Sequence, residues 1–301
     1  MRSLVVLAIV GFFAQLVDGS LGMAYGVTSA SLLLAFGVAP AAASAVVHLS
    51  EVGTSLVSGA AHWRFGNVDW RVVGIMALPG AIGAFAGATI LVNLPADLAA
   101  PFVALFLASL GFYVIYRFMR LGGRRPELKS RPSGFFLAPL GLVAGAMDAL
   151  GGGGWGPIGT SSLLSSGRME PRKVIGTIDT AEFAVAVAAS IGFLIGLGSA
   201  GIEWAWAIAL LAGGAVAAPI AAWVVKHLAA RVLGVAAGGW IVLTNAKTVM
   251  ESWFGMAETS TTLWVILAVL ALAWISMVAG AVSLERSARR RSRAEAETAS
   301  V

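Results

Sequence analysis

Asp148-Ala149-Leu150-Gly151-Gly152-Gly153-Gly154-Trp155-Gly156 interrupts an apolar stretch, and Asp18-Gly19-Ser20-Leu21-Gly22, leading to Tyr25-Gly26, interrupts another 130 residues earlier. Each break has an apolar run before it and one after it, and each ends in an aromatic-glycine step. Interrupting a helix in lipid frees N–H and C=O groups that hydrocarbon cannot satisfy. Such a break survives where protein, water or a bound molecule supplies partners. One glycine-rich acidic break per half of an apolar chain points to the binding site of a carrier.

The composition fits that setting. Of 301 residues, 58% are hydrophobic and 12% charged, and the mean hydropathy is +0.88, where a soluble domain carries about 25% charged residues. Long continuous apolar runs, rather than short alternating ones, indicate helices and not a barrel. The 37 glycines suit close helix packing, and the absence of cysteine excludes disulfides and thiolate chemistry. The net charge of +5 comes from basic loops, so no nucleic-acid partner is implied. Leu4 to Val17 has the length of a signal-peptide core, but no A-x-A-like site follows, and the segment is read as retained.

The fold class that results is an all-α integral membrane protein of two inverted repeats. Each repeat holds a broken, re-entrant helix pair plus three spanning helices, and one extra C-terminal helix follows. The first repeat and its basic linker occupy residues 1–131. Its segments are Leu4–Val17 and Leu21–Phe36, joined by the break at Asp18, then Ala43–Ala61, Val72–Val92 and Leu98–Met119. The linker carries Arg117, Arg120, Arg124, Arg125, Lys129 and Arg131. The second repeat, 132–256, has Phe135–Met147 and Trp155–Leu164 around its break, then Val174–Leu197, Trp204–Val225 and Val232–Met250. An extra helix, Thr262–Leu284 within 257–284, precedes a polar tail, 285–301, expected to be disordered.

The repeat extends beyond the breaks. Glu51 lies eleven residues after Pro40 and Glu182 eleven after Pro171, and His48 and Asp179 share one offset. Gly80 and Gly83 correspond to the small-residue stretch from Gly213 to Ala218. Lys and Arg placement sets orientation. The linker and the loop at Arg168, Arg172 and Lys173 fall inside, as do Arg64 with Arg71, Lys226 with Arg231, and the run from Arg286 to Arg293. Loops holding Glu203, or Glu251 and Glu258, fall outside. The halves come out inverted, with an extracytoplasmic N-terminus and a cytoplasmic C-terminus. A single broken crossing over Leu4–Phe36, with Arg2 inside, remains the alternative, since each piece is shorter than the roughly 20 residues of a span.

Gly11–Gly26 with its break, Pro79-Gly80-x-x-Gly83-x-x-x-Gly87, and Ala144-Gly145-x-x-Asp148 running into Gly151–Gly156 resemble the sulfite exporter TauE/SafE family of bacterial and plant membrane transporters. The resemblance covers about residues 4–283. It implies movement of a small sulfur-containing anion, such as sulfite, sulfoacetate or another organosulfonate, across the bacterial cytoplasmic membrane, coupled to protons. The implied partners are that anion, protons and lipid, and a homodimer stays open.

Within this frame, Gly151, Gly152, Gly153 and Gly154 with Trp155 form a candidate anion cradle. Gly19, Ser20, Gly22 and Tyr25 are its first-half counterpart. Free N–H groups at a half-helix start favour an anion without a buried arginine, and tight packing is the structural alternative. Asp18 and Asp148 are either caps or charge-carrying sites. His48 with Glu51, and Asp179 with Glu182, each lie three apart on one helix face. With Asp18 and Asp148 they make a candidate proton relay, with a satisfied structural network as the alternative. No HExxH spacing marks a metal site, and no cofactor is expected. Five membrane carboxylates face only His48 and Lys247 as bases. A channel, or a carrier of a different small anion or cation, therefore stays open. Asn245 and Lys247 are candidate attractors for the anion. No Walker lysine loop or GxGD aspartate pair supports an ATPase or an intramembrane protease.

Overall fold

The computed structural model describes residues 2–21, 23–120, 131–166, 168–224 and 230–299. Gly22, Arg124, Arg125, Lys129, Lys226 and His227 lie outside the described residues, as do the side chains of Ser20 and of the last arginines. The described residues are helical with short connections. The elements are α1 (Arg2–Leu21), α2 (Tyr25–Ala35), α3 (Pro40–Arg64), α4 (Trp70–Asn93), α5 (Ala96–Arg120), α6 (Gly134–Gly151), a π-helical turn (Trp155–Thr160), α7 (Ser161–Ser166), α8 (Pro171–Leu197), α9 (Trp204–Val224), α10 (Ala230–Phe254) and α11 (Thr261–Ala299). Among the described residues, five helices are long and apolar enough to cross a membrane: α4, α5, α6, and the stretches Arg172–Leu197 and Thr261–Ala288.

Local signals set several boundaries. Pro40 and Pro171 open α3 and α8 at first-turn positions, where the missing N–H costs nothing. Asp69 caps α4 by accepting from the N–H groups of Arg71 and Val72. Gly152, in the left-handed region at φ 70°, ends α6.

Three boundaries differ from the sequence reading. The helices do not stop at the acidic residues. α1 runs through Asp18 and Gly19 to Leu21, and α6 through Asp148 to Gly151, so the interruptions fall after each aspartate. Glycine and serine after Asp18 lower helix propensity, but packing along a neighbouring helix overrides it. The polar tail is not a disordered strand of chain, for α11 continues helically to Ala299. Its Ser, Arg, Ala and Glu residues are tolerable helix formers that extend an existing helix and need no new nucleus.

Packing follows the repeat offset. α4 lies along α6 and α1 along α9, while α3 crosses α8 and α5 packs on α10. α1 corresponds to α6 and α4 to α9, so the first two contacts exchange under the offset. Small residues make these contacts. A methyl on Gly83 would overlap the Leu142 carbonyl oxygen, one on Gly145 that of Gly80, one on Gly11 that of Leu210, and one on Gly213 that of Ala8. Large apolar side chains such as Ile82, Ile195, Val216 and Leu272 face outward, as expected of helices bathed in hydrocarbon. Trp63, Trp70, Trp204 and Trp253 are exposed near helix ends, matching an interfacial belt.

Gly83→Ala should therefore destabilise the protein by about 1–3 kcal/mol through overpacking. Gly74→Ala, with open space at its Cβ, should leave it unchanged. Thermal melting of detergent-purified protein, followed by tryptophan fluorescence, checks the contrast.

Candidate functional site

The two breaks meet at the centre of the molecule. A methyl on Gly26 would sit 2.6 Å from the Gly152 carbonyl oxygen and 2.9 Å from the Gly153 Cα, and one on Gly153 would overlap the Val27 nitrogen. Backbone touches backbone here, and only glycine permits that approach. Ala24, just ahead of α2, is the one described non-glycine residue with positive φ, at 146°. Strain of this kind persists where the surroundings fix it and gathers at functional breaks. The π-turn after the second break is another such marker.

Each break aspartate bonds across its own interruption to the residue seven positions on. The N–H groups of Gly154 and Trp155 donate to Asp148 Oδ1 at 2.6 and 2.9 Å, and that of Tyr25 donates to Asp18 Oδ1 at 3.3 Å. The N–H groups of Gly152 and Gly153 donate to the Asp148 carbonyl oxygen. The glycine-loop donors offered to an anion by the sequence are thus taken by Asp148 in this arrangement, and the capping role of the aspartates is realised in both halves. Trp155 is fully buried, and its indole N–H donates to the Ile178 carbonyl oxygen at 3.0 Å. Tyr25, its counterpart, is also buried and donates to Ser50 Oγ at 3.1 Å.

The charged residues gather into two clusters, each built from both halves. Asp148 joins His48 and Glu51, and Asp18 joins Asp179 and Glu182. In each, one half gives its break aspartate and the other gives its i, i+3 pair. The sequence placed the pairs toward one axis but not against the opposite aspartates. In the first cluster His48 Nδ1 lies 2.8 Å from the Ser44 carbonyl oxygen, so it carries a hydrogen, while Nε2 lies 3.2 Å from Asp148 Oδ2. A hydrogen bond between Nε2 and that oxygen needs a second proton, on the ring or on the carboxyl. In the second cluster Ser58 Oγ donates to Asp179 Oδ2 at 2.8 Å, and His62 Nε2 lies 3.5 Å from the same oxygen.

Beside the second cluster is a tight polar crevice that does not admit a free water. Asp18, Glu51, Asp179 and Glu182 reach it, with the hydroxyl residues Thr54, Ser55 and Ser58 beside them. Glu51 faces both clusters. Its Oε2 is buried with no hydrogen-bond partner among the described residues, and lies 4.0 Å from His48 Nε2.

Ser58 and His62 escaped the sequence reading. Their signal was spacing: His48, Glu51, Ser55, Ser58 and His62 step by three and four along α3, a polar stripe on one face. Arg117 was assigned to the linker, yet it is buried at the end of α5 and donates to the Ser161 carbonyl oxygen at 3.4 Å. Lys247 and Asn245 are engaged elsewhere. Lys247 Nζ lies 2.6 Å from Glu258 Oε1 and 3.7 Å from Glu251 Oε1. That ammonium holds the Glu258 carboxyl below the usual carboxylate range. Asn245 donates to Ser31 Oγ, tying α10 to α2.

Helices built to cross lipid, interrupted around a buried charged centre, define a multi-pass membrane transporter rather than an enzyme. The chain belongs to the sulfite exporter TauE/SafE family, whose pattern it matches over residues 7–248. It is 50% identical over 258 residues to "Probable membrane transporter protein YtnM" of Bacillus subtilis (strain 168), covering 84% of this chain and 85% of that one. No solved structure matches it.

The two break aspartates should differ in stability. Asp148→Ala strands two N–H groups and His48 and should cost about 3–5 kcal/mol. Asp18→Ala removes one longer bond while relieving neighbouring carboxylates, and should cost far less. Paired thermal melts of the two purified variants measure the gap.

Proposed function

We propose that this chain is a secondary carrier that moves a small sulfur-containing anion, such as sulfite, sulfoacetate or another organosulfonate, across the bacterial cytoplasmic membrane, coupled to protons. The observation that carries this reading is the cross-bracing of the halves. Each break aspartate meets the other half's helix pair, and the breaks touch at Gly26 and Gly153. Two halves joined at a backbone contact, with buried charge on either side, suit alternating access around a central site. The exchanged packing of α4 on α6 and α1 on α9 supports an inverted two-repeat design, 1–131 and 132–256, with 257–284 as an added helix and 285–301 as a cytoplasmic extension. In that design the N-terminus is extracytoplasmic.

The anion binds as the breaks part, at Gly19, Ser20, Gly22 and Tyr25 from one half and Gly151, Gly152, Gly153, Gly154 and Trp155 from the other. Asp18, His48, Glu51, Asp148, Asp179 and Glu182 carry the compensating charge, and the mobile proton sits between His48, Asp148 and Glu51. The acidic crevice favours one second reading, a carrier whose substrate is itself a cation.

Proteoliposomes decide between them. Purified protein should accumulate one of sulfite, sulfoacetate, taurine or thiosulfate when a pH gradient is imposed. Glu51→Gln preserves shape but removes a titrating group, so it should depress pH-driven accumulation several-fold while counterflow survives. Unchanged pH dependence in a well-folded Glu51→Gln protein would remove Glu51 from the coupling. Failure of every anion to move, with uptake of an organic cation, would favour the second reading.

Topology is testable because the chain has no cysteine. A single cysteine at position 2 should react with an impermeant maleimide from outside the cell, and one at position 296 only after the membrane is opened. Cytoplasmic labelling at position 2 would sink the inverted arrangement.

A further inference from the structure

Glu51 is 2% exposed, and its Oε2 is sealed from solvent without a hydrogen-bond partner among the described residues. A buried carboxylate oxygen left in that state is costly. It lies 4.0 Å from His48 Nε2, too far for a hydrogen bond, and Asp148 Oδ2 lies 3.2 Å from the same nitrogen. The other two residues each turn one free atom toward Glu51. His48 Nδ1 donates to the Ser44 carbonyl oxygen at 2.8 Å, so in the neutral ring Nε2 is the lone-pair nitrogen. Asp148 Oδ1 is taken by the N–H groups of Gly154 and Trp155, which leaves Oδ2 for a further partner. With a neutral ring and an ionised carboxyl, lone pairs face each other across 3.2 Å, and Glu51 Oε2 adds a third. A positive charge belongs among them.

We propose that His48 Nε2, Glu51 Oε2 and Asp148 Oδ2 form a binding site for a divalent transition-metal ion of zinc's class, set between the two halves.

The geometry suits such an ion. One ligand atom from each residue lies within 4.8 Å of the other two. Ligands bonded to zinc at about 2.0–2.2 Å stand about 3.3–3.5 Å apart in a tetrahedron, close to the 3.2 Å between Nε2 and Oδ2. Glu51 Oε2 needs to move in by about 0.5 Å to match, and it has no hydrogen bond to break in doing so. One imidazole with two carboxylates suits zinc and its first-row neighbours, where the alkaline-earth ions take oxygen alone. Both Nδ1 and Oδ1 are pinned by backbone groups, the arrangement that orients a ligating imidazole and carboxylate. Charge agrees as well. Two carboxylates and a neutral imidazole carry two negative charges, so a dication neutralises the buried centre. The second cluster lacks this set, for its three members are all carboxylates and the side chain of nearby His62 is 20% exposed. His48 and Glu51 come from α3 and Asp148 from α6, so a bound ion fastens one half to the other. The inference extends the carrier reading of these three residues, because the ion displaces the proton they hold there, but the binding site stands on the cluster itself.

The test uses the full chain purified in detergent at one fixed pH, with its affinity tag removed, stripped by a chelator, dialysed, and free of any anion substrate. Zinc chloride is the probe, followed by titration calorimetry and by the melting temperature. One zinc per chain is expected, with a melting temperature that rises on addition. Glu51→Gln keeps the shape and gives up the charged ligand, so it should raise the zinc Kd by about tenfold or more. His62→Gln controls for zinc held at the second cluster and should leave the Kd unchanged. X-ray absorption of the zinc-loaded wild type should show one imidazole among oxygen ligands. Absence of saturable zinc binding overturns the proposal, as does an unchanged Kd in Glu51→Gln or loss of binding in His62→Gln. A zinc shell with no imidazole, or with two, also overturns it. If Glu51→Gln does not fold, the wild-type titration and absorption spectrum decide. Binding is read without substrate, so its failure leaves anion transport untouched. Zinc binding by a protein that moves none of the sulfur anions faults the substrate reading alone.

Discussion

The carboxylate of Asp148 accepts from the N–H groups of Gly154 and Trp155 on one oxygen and meets His48 of the other half on the second. A helix interrupted inside the membrane must find partners for its freed donors, and no solvent is present to provide them. Asp148 supplies them from the last turn of the incoming helix. The π-turn, the buried Trp155 and the docking of α8 on its indole lie directly beyond that side chain. Asp18 repeats the arrangement with a longer bond to Tyr25. The weaker first bond and the strained backbone at Ala24 make the first break the less firmly held of the two.

The helices that build the centre are correspondingly unlike those that face lipid. α4 and α5 carry charge only near their ends, whereas α3 carries a line of histidine, glutamate and serine along one side. Its burial between α8 and α9 is what makes that line tolerable, because a charged side chain in hydrocarbon is costly unless it meets another polar group. The small-residue contacts serve the same end. Where Gly80, Gly83 and Gly145 remove side chains, α4 and α6 approach closely enough to close the packing around the second break.

Much of this was legible in the chain. The 130-residue offset between Asp18 and Asp148 exposed the repeat, and the shared spacing after Pro40 and Pro171 exposed the pairs His48–Glu51 and Asp179–Glu182. Sequence could not say which aspartate each pair would meet, because that depends on how α3 and α8 cross, a tertiary fact without a local signature. It also misplaced the interruptions. Propensity weakens right at Asp18-Gly19-Ser20, but packing of α1 along α9 carries the helix one turn further. Arg117 was read as one more loop charge, since burial at a helix end comes from a neighbour, here the start of α7, more than a hundred ångströms of extended chain away.

The joint between the halves at Gly26 and Gly153 is backbone against backbone, with the Glu51 carboxylate at its edge. Most protein interfaces lock through rotamers, and opening them means resetting many χ angles at once. A seam of backbone has few to reset. It holds its faces in register largely by shape. A methyl added at either glycine would meet the opposing backbone at once, so this seam admits no side chain of its own.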